Sequence, residues 1–202
     1  MTSPIGRVRA VASVLLALSL GAALSACAND PLAEQYRSGD EKGYIAGDQR
    51  IIEIPEGERG EPVAFEGTTE TGATVTSEDF ADQVLVVNFW YAACGPCRVE
   101  AAELEEAYQT FQGDEVSFLG VNTQDSASVA TAFAETYGVT YPSALAAQDG
   151  ALKLAFAQAT PLTATPVTLV LDREGRVSAR IIGELPDASI LEALVRDALE
   201  ES

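Results

Sequence analysis

Histidine is absent from all 202 residues, which excludes Ser-His-Asp and Cys-His catalysis and removes the commonest metal ligand. Basic residues are scarce: 12 Lys and Arg stand against 31 Asp and Glu, a formal net charge of −19. Arg7 and Arg9 precede Cys27 and no acid does, so the chain beyond that point is more acidic still. Such a surface repels phosphate backbones and anionic headgroups, so nucleic acid is not an expected partner; the simplest use of the charge is solubility. Cysteine is confined to Cys27, Cys94 and Cys97. A closed zinc site needs four Cys or His ligands and finds two here beyond the leader; covalent haem attachment wants Cys-x-x-Cys-His, and position 98 is Arg. No metal and no cofactor is expected.

An apolar run at 11–24 follows the short basic start. It is short of the roughly 20 residues of a membrane-spanning helix and fits a signal peptide over 1–26. Leu24-Ser25-Ala26-Cys27 resembles a bacterial lipobox, which implies that Cys27 is lipidated and becomes the new N-terminus. Residues 27–61 are polar and Gly-containing apart from Ile51-Ile52-Glu53-Ile54, and read as a tether from that anchor; the Ile-rich patch is its one stretch able to dock. The folded domain is expected over 62–202.

In that domain, 62–66 and 73–76 alternate apolar with polar residues and read as a hairpin. Residues 77–80 suit a short helical turn. The run Val84-Leu85-Val86-Val87-Asn88-Phe89-Trp90 is the pattern of a central strand covered on both faces. Further on the pattern predicts helix 97–112, strand 116–121, helix 126–137, strand 141–146 and helix 151–157. Strands 167–171 and 177–182 follow, joined by the turn Asp172-Arg173-Glu174-Gly175-Arg176, then a helix over 187–199. Alternation followed by a hairpin implies an α/β fold with a central mixed sheet flanked by helices.

Cys94-Gly95-Pro96-Cys97 sits directly after the buried strand. A bridge across so small a loop restricts the unfolded chain little, so redox chemistry is the better use of the pair. Pro96 suits a first helical turn, which puts Cys94 at the helix N-terminus, where free amide hydrogens and the dipole stabilise a thiolate. Cys94 is then the attacking thiol and Cys97, one turn in, the resolving one. Positions 97, 100, 104, 107 and 111 share one stripe of that helix, so Glu100 lies on the core side beside Cys97. Burial there raises its pKa and suits it to manage the resolving thiol's proton; the alternative is a solvated side chain in an acidic helix.

Asn88-Phe89-Trp90 followed by Cys94-Gly95-Pro96-Cys97-Arg98 resembles the active-site segment of thioredoxins, and of the membrane-tethered TlpA/ResA-type proteins in particular, over roughly 59–199. The resemblance implies the thioredoxin fold with an added N-terminal β-hairpin. A glutamate three residues after the second cysteine is the ResA-like pattern, so it implies the proton role for Glu100. It also implies that the bond between Thr165 and Pro166 is cis, facing the cysteines and holding extended substrate. Trp90 is either active-site wall or core. Two departures stand out: Ala93 replaces the usual Trp before the first cysteine, and Asn88 replaces the buried Asp of thioredoxins.

What the resemblance implies of function is a thiol-disulfide oxidoreductase on the extracytoplasmic face of the bacterial membrane, lipid-anchored through Cys27 and reducing disulfides of exported proteins. Apocytochrome c is the implied substrate and a CcdA-like membrane protein the implied electron donor. Gly-Pro between the cysteines resembles reducing thioredoxins, whose potentials are about −270 mV. The alternatives are a thiol peroxidase, against which Cys94 lacks the Thr/Ser-x-x-Cys setting, and a non-catalytic binding lipoprotein.

Overall fold

The computed structural model describes residues 50–160 and 165–201. All of these belong to the compact unit Gly43–Ser202. The leader 1–26, Cys27 and the tether as far as 49 lie outside the described residues.

The run of apolar residues from Val84 to Trp90 forms β4, and every one of its residues is buried. Alternation sends Val84 and Val86 to one face, where they meet Leu104, Phe111, Leu191 and Val195. Leu85, Val87 and Phe89 go to the other face with Phe65, Leu152, Phe156 and Leu169. One strand thus serves two cores, so its sequence is continuously apolar.

Around it the sheet has six strands in the order β1-β8-β7-β4-β5-β6: β1 Ile51–Glu53, β8 Val177–Ile182, β7 Val167–Leu171, β5 Val116–Asn122 and β6 Ser143–Leu145. β4 runs parallel to β5 and β5 to β6, whereas β4–β7, β7–β8 and β8–β1 are antiparallel. This is the expected mixed sheet. Helices α1 (Gly95–Thr110) and α4 (Ala188–Glu200) pack on the Val84 face. The other described α-helices are α2 (Ala127–Tyr137) and α3 (Gly150–Ala155), and short 3-10 turns span Glu56–Glu58 and Ser77–Phe80. Helix α1 starts two residues earlier than expected, because Cys94 caps it and Pro96 falls where no amide hydrogen is required.

The N-terminal part departs from expectation in two places. A hairpin forms, but its strands are β2 Glu66–Thr68 and β3 Thr74–Thr76; residues 62–65 instead lead into it, with the Val63 amide bonded to the Gly175 carbonyl. The tether does not extend to 61. Ile51, Ile52 and Glu53 pair with Ile181, Arg180 and Ala179 at the sheet edge, and Ile51 enters the core. The domain therefore begins no later than Arg50, with the Ile-rich patch as its first strand.

A buried ion pair fastens this extension. The Arg59 side chain is 3% exposed and its guanidinium meets the Asp172 carboxylate at 3.0 Å, the Ile54 carbonyl at 2.9 Å and Glu201 near the end of α4. Asp172 also accepts from Arg176 Nε and from the amides of Glu174 and Arg176, closing the β7–β8 turn. Removing one partner of a buried pair strands the other. Asp172→Ala is expected to cost about 3–5 kcal/mol in chemical denaturation. Arg59→Met, which leaves Asp172 with Arg176, is expected to cost about 2 kcal/mol; equal losses would mean that the turn bonds contribute nothing.

Candidate active site

β4 delivers the chain to Cys94, which caps α1 and is disulfide-bonded to Cys97. Cys94 Sγ accepts the Cys97 amide hydrogen at 3.2 Å, so the sulfur sits on the helix N-terminus as the sequence requires. Gly95 and Pro96, exposed, form the first two positions of the helix. Cys94 and Cys97 are 3% and 2% exposed, so accessibility does not separate them; their positions on the helix do. Thr165–Pro166 is cis, and the Thr165 carbonyl oxygen lies 3.9 Å from Cys94 Sγ. The two segments are brought together across 71 residues of sequence.

Trp90 forms a wall behind the pair. It shares a cluster with Cys94, Cys97, Ala101 and Phe133, its ring centroid 4.3 Å from that of Phe133. The indole N–H donates to Ser143 Oγ at 3.2 Å. That contact needs Gly120: a Cβ there would lie 2.2 Å from Ser143 Oγ and 2.8 Å from the indole nitrogen. Trp90 is thus a core residue that packs against the cysteine pair.

Glu100 is fully buried on the core stripe of α1. One carboxylate oxygen accepts from Asn88 Nδ2 at 2.8 Å and the other from the Leu185 amide at 2.8 Å. Asn88 also donates to Thr168 Oγ1 on β7. The departure at position 88 therefore has a structural counterpart, an amide that holds the glutamate. Burial pushes the Glu100 pKa up to about 7, against the two hydrogen bonds that lower it, and the nearby Glu184 adds to the rise. A cavity of about 10 Å³, lined by Asn88, Cys97, Tyr141 and Ser143 among others, is just large enough for one water molecule. Burial, then the charges of Glu100 and Glu105, hold the Tyr141 phenol above its usual range.

The sequence reading brought Cys94, Cys97, Glu100, Trp90 and Pro166 to one place but missed three groups. Tyr141 and Ser143 reach the site through β5–β6 pairing, which no local pattern announces. Asp125 accepts the Ala92 amide hydrogen at 2.6 Å; its only sequence signal is Asn122-Thr123-Gln124-Asp125 after a strand, a side-chain-closed turn.

A cysteine pair at a helix N-terminus beside a cis-proline, on this mixed sheet, defines a dithiol-disulfide protein of the thioredoxin fold. The Redoxin family model matches residues 53–195, and the chain belongs to that family. Within it the chain is TlpA/ResA-like. It is 29% identical over 116 residues to the thiol-disulfide oxidoreductase ResA of Geobacillus thermodenitrificans, covering 57% of this chain and 64% of that relative. The match thus spans slightly less than two thirds of ResA. Among solved structures, a DsbF homologue of Corynebacterium diphtheriae is 29% identical with a TM-score of 0.65, covering 76% of this chain and 96% of that one. A secreted thiol-disulfide isomerase of Corynebacterium glutamicum is 25% identical with a TM-score of 0.68, covering 78% and 97%.

The raised Glu100 pKa sets a pH signature. Unfolded, the carboxyl titrates near 4.5, and folded at about 7, so between these values the native state holds the extra proton and stability falls as pH rises. Asp187, held below its usual range by Ser189, acts only at lower pH. Glu100→Gln is expected to remove a decline on the order of 3 kcal/mol between pH 4.5 and pH 7. Denaturation curves of both proteins across that window check it, and parallel curves would contradict the buried-acid reading.

Proposed function

We propose that the chain is an extracytoplasmic thiol-disulfide oxidoreductase that reduces disulfides of exported proteins. The observation that carries this reading is the placement of Cys94 Sγ on the N-terminus of α1, bonded to Cys97 and facing Thr165–Pro166. In the reduced protein Cys94 is the thiolate, stabilised by the amide hydrogens and dipole of α1. It attacks a substrate disulfide, one substrate sulfur leaves as a thiolate, and a mixed disulfide on Cys94 results. Cys97 gives up its proton, attacks Cys94 Sγ and releases the second substrate thiolate. Two electrons have then passed to the substrate, which takes up two protons, and the Cys94–Cys97 bond is restored.

Glu100 is the group proposed to receive the Cys97 proton. It lies one turn beyond that cysteine on the same buried stripe, and a pKa of about 7 lets it accept and return a proton at neutral pH. Thr165 and Pro166 hold the extended substrate, and Trp90, Gly95 and Pro96 shape the site. With Ala93 exposed in place of an aromatic, less of the contact surface comes from the residue before Cys94.

A lipid on Cys27 and the tether behind it hold the domain at the outer membrane face; the lipobox-like Leu24-Ser25-Ala26-Cys27 and the apolar leader support this. Apocytochrome c as substrate and a CcdA-like membrane protein as donor rest on the TlpA/ResA resemblance. The disulfide chemistry for which the relatives are named favours exchange over the peroxidase alternative.

Cys97→Ser in cells is expected to trap mixed disulfides on Cys94, because the resolving step is removed. Apocytochrome c in the trapped fraction supports the maturation role; a broad set of exported proteins without it contradicts that role, and an empty trap contradicts disulfide reduction itself.

A further inference from the structure

In the segment between Trp90 and Cys94, Tyr91 and Ala92 are half-buried against the cluster that holds Trp90 and Cys94, and side-chain packing is part of its anchorage. Two of its three residues are alanines, Ala93 exposed and Ala92 half-buried, and its internal backbone bond runs from the Cys94 amide to the Tyr91 carbonyl at 3.1 Å. The remaining hold comes from outside. Asp125 Oδ2 accepts the Ala92 amide hydrogen at 2.6 Å, and Arg98 Nε donates to the Ala92 carbonyl at 2.7 Å. One residue, two positions before Cys94, thus has both backbone polar groups bonded to side chains, its amide to a carboxyl and its carbonyl to a guanidinium group.

Asp125 is itself built into place. Asn122 ends β5 opposite Trp90 and is fully buried. Its side-chain Oδ1 accepts the amide hydrogens of Gln124 and Asp125 at 3.1 and 2.7 Å, and its Nδ2 donates to Asp125 Oδ2 at 2.8 Å. Thr123 adds two bonds to the Trp90 carbonyl, from its amide at 2.9 Å and its hydroxyl at 3.3 Å. The turn after β5 therefore grips the chain on both sides of Tyr91.

We infer that Asp125, oriented by Asn122 and opposed by Arg98, is a positioning residue that keeps Cys94 on the N-terminus of α1 when the disulfide is open. The inference rests on the oxidoreductase reading of the same pair. While the Cys94–Cys97 bond exists, the bond itself ties Cys94 to the helix. Once an external dithiol has reduced it, becoming a disulfide in turn, that tie is gone. The bonds to Ala92 do not involve sulfur and remain.

Charge and position act in opposite directions here, which makes the inference testable. Deleting a nearby carboxylate stabilises a thiolate and so speeds its reaction; loss of position slows it. In the reduced full-length chain at neutral pH, Asp125→Ala is expected to lower the Cys94 alkylation rate by iodoacetamide at least about tenfold. Asp125→Asn, which keeps an acceptor for the Ala92 amide hydrogen, is expected to react at the native rate or faster. Asp125→Ser, too short to reach, repeats the truncation should the alanine variant not fold. Reduction potentials of the same proteins against glutathione are expected to move with truncation and to return with asparagine. A truncated variant that alkylates at or above the native rate overturns the inference, as does an asparagine variant as slow as the truncated ones. A native protein that fails to exchange with a protein disulfide overturns the oxidoreductase reading instead.

Discussion

The Glu100 carboxylate has no contact with solvent, and each of its oxygens joins α1 to a different element. Asn88 carries one bond to β4 and Leu185 the other to the segment before α4. Helix α1 is thereby keyed to the strand that precedes it and to the helix that packs beside it, and Cys94 and Cys97 ride on its first turn. Desolvation of this acid works against the fold at neutral pH, and its hydrogen bonds offset only part of that cost. The same imbalance brings its pKa to about 7, where a carboxyl group is useful for moving a thiol's proton. The structural linkage and the proposed proton handling rest on one placement.

That placement follows from the two-sided strand β4. Its odd-numbered residues fill the core with Phe65 and Phe156, and its even-numbered residues face α1 and α4. Asn88 falls on the helix side by alternation, within reach of Glu100, and Trp90 falls on the same side two residues later, against the cysteines. A one-residue slip would exchange the two sets and bury the wrong groups. Pairing with β5 over seven residues and with β7 over five fixes the register.

Much of this is legible in the sequence because it is local. The continuous apolar run gave β4, period and turn residues gave β5, β7, β8 and the long helices, and the helical stripe put Glu100 beside Cys97. What sequence alone did not give is mostly long-range. Ile51–Glu53 is too short to announce a strand and pairs with residues near 180, so it passed for part of a tether. Arg59 looks like an exposed polar residue until its partner 113 positions away is known. The Asp125 bond to Ala92 and the Trp90 bond to Ser143 join residues 33 and 53 apart. The hairpin was recognised but its first strand was displaced, since residues 62–65 carry an alternation that is spent on contacts with the β7–β8 turn and the neighbouring core.

In the proposed cycle Cys94 and Cys97 exchange as an ordered pair, the first attacking and the second resolving. Mixing pre-reduced protein with a protein disulfide and counting thiols and covalent adducts in one turnover separates the two roles. The native chain is expected to open one disulfide and close its own, Cys97→Ser to stop at an adduct on Cys94, and Cys94→Ser not to react. An adduct on Cys97, or reduction by the Cys94→Ser protein at the native rate, would contradict this order.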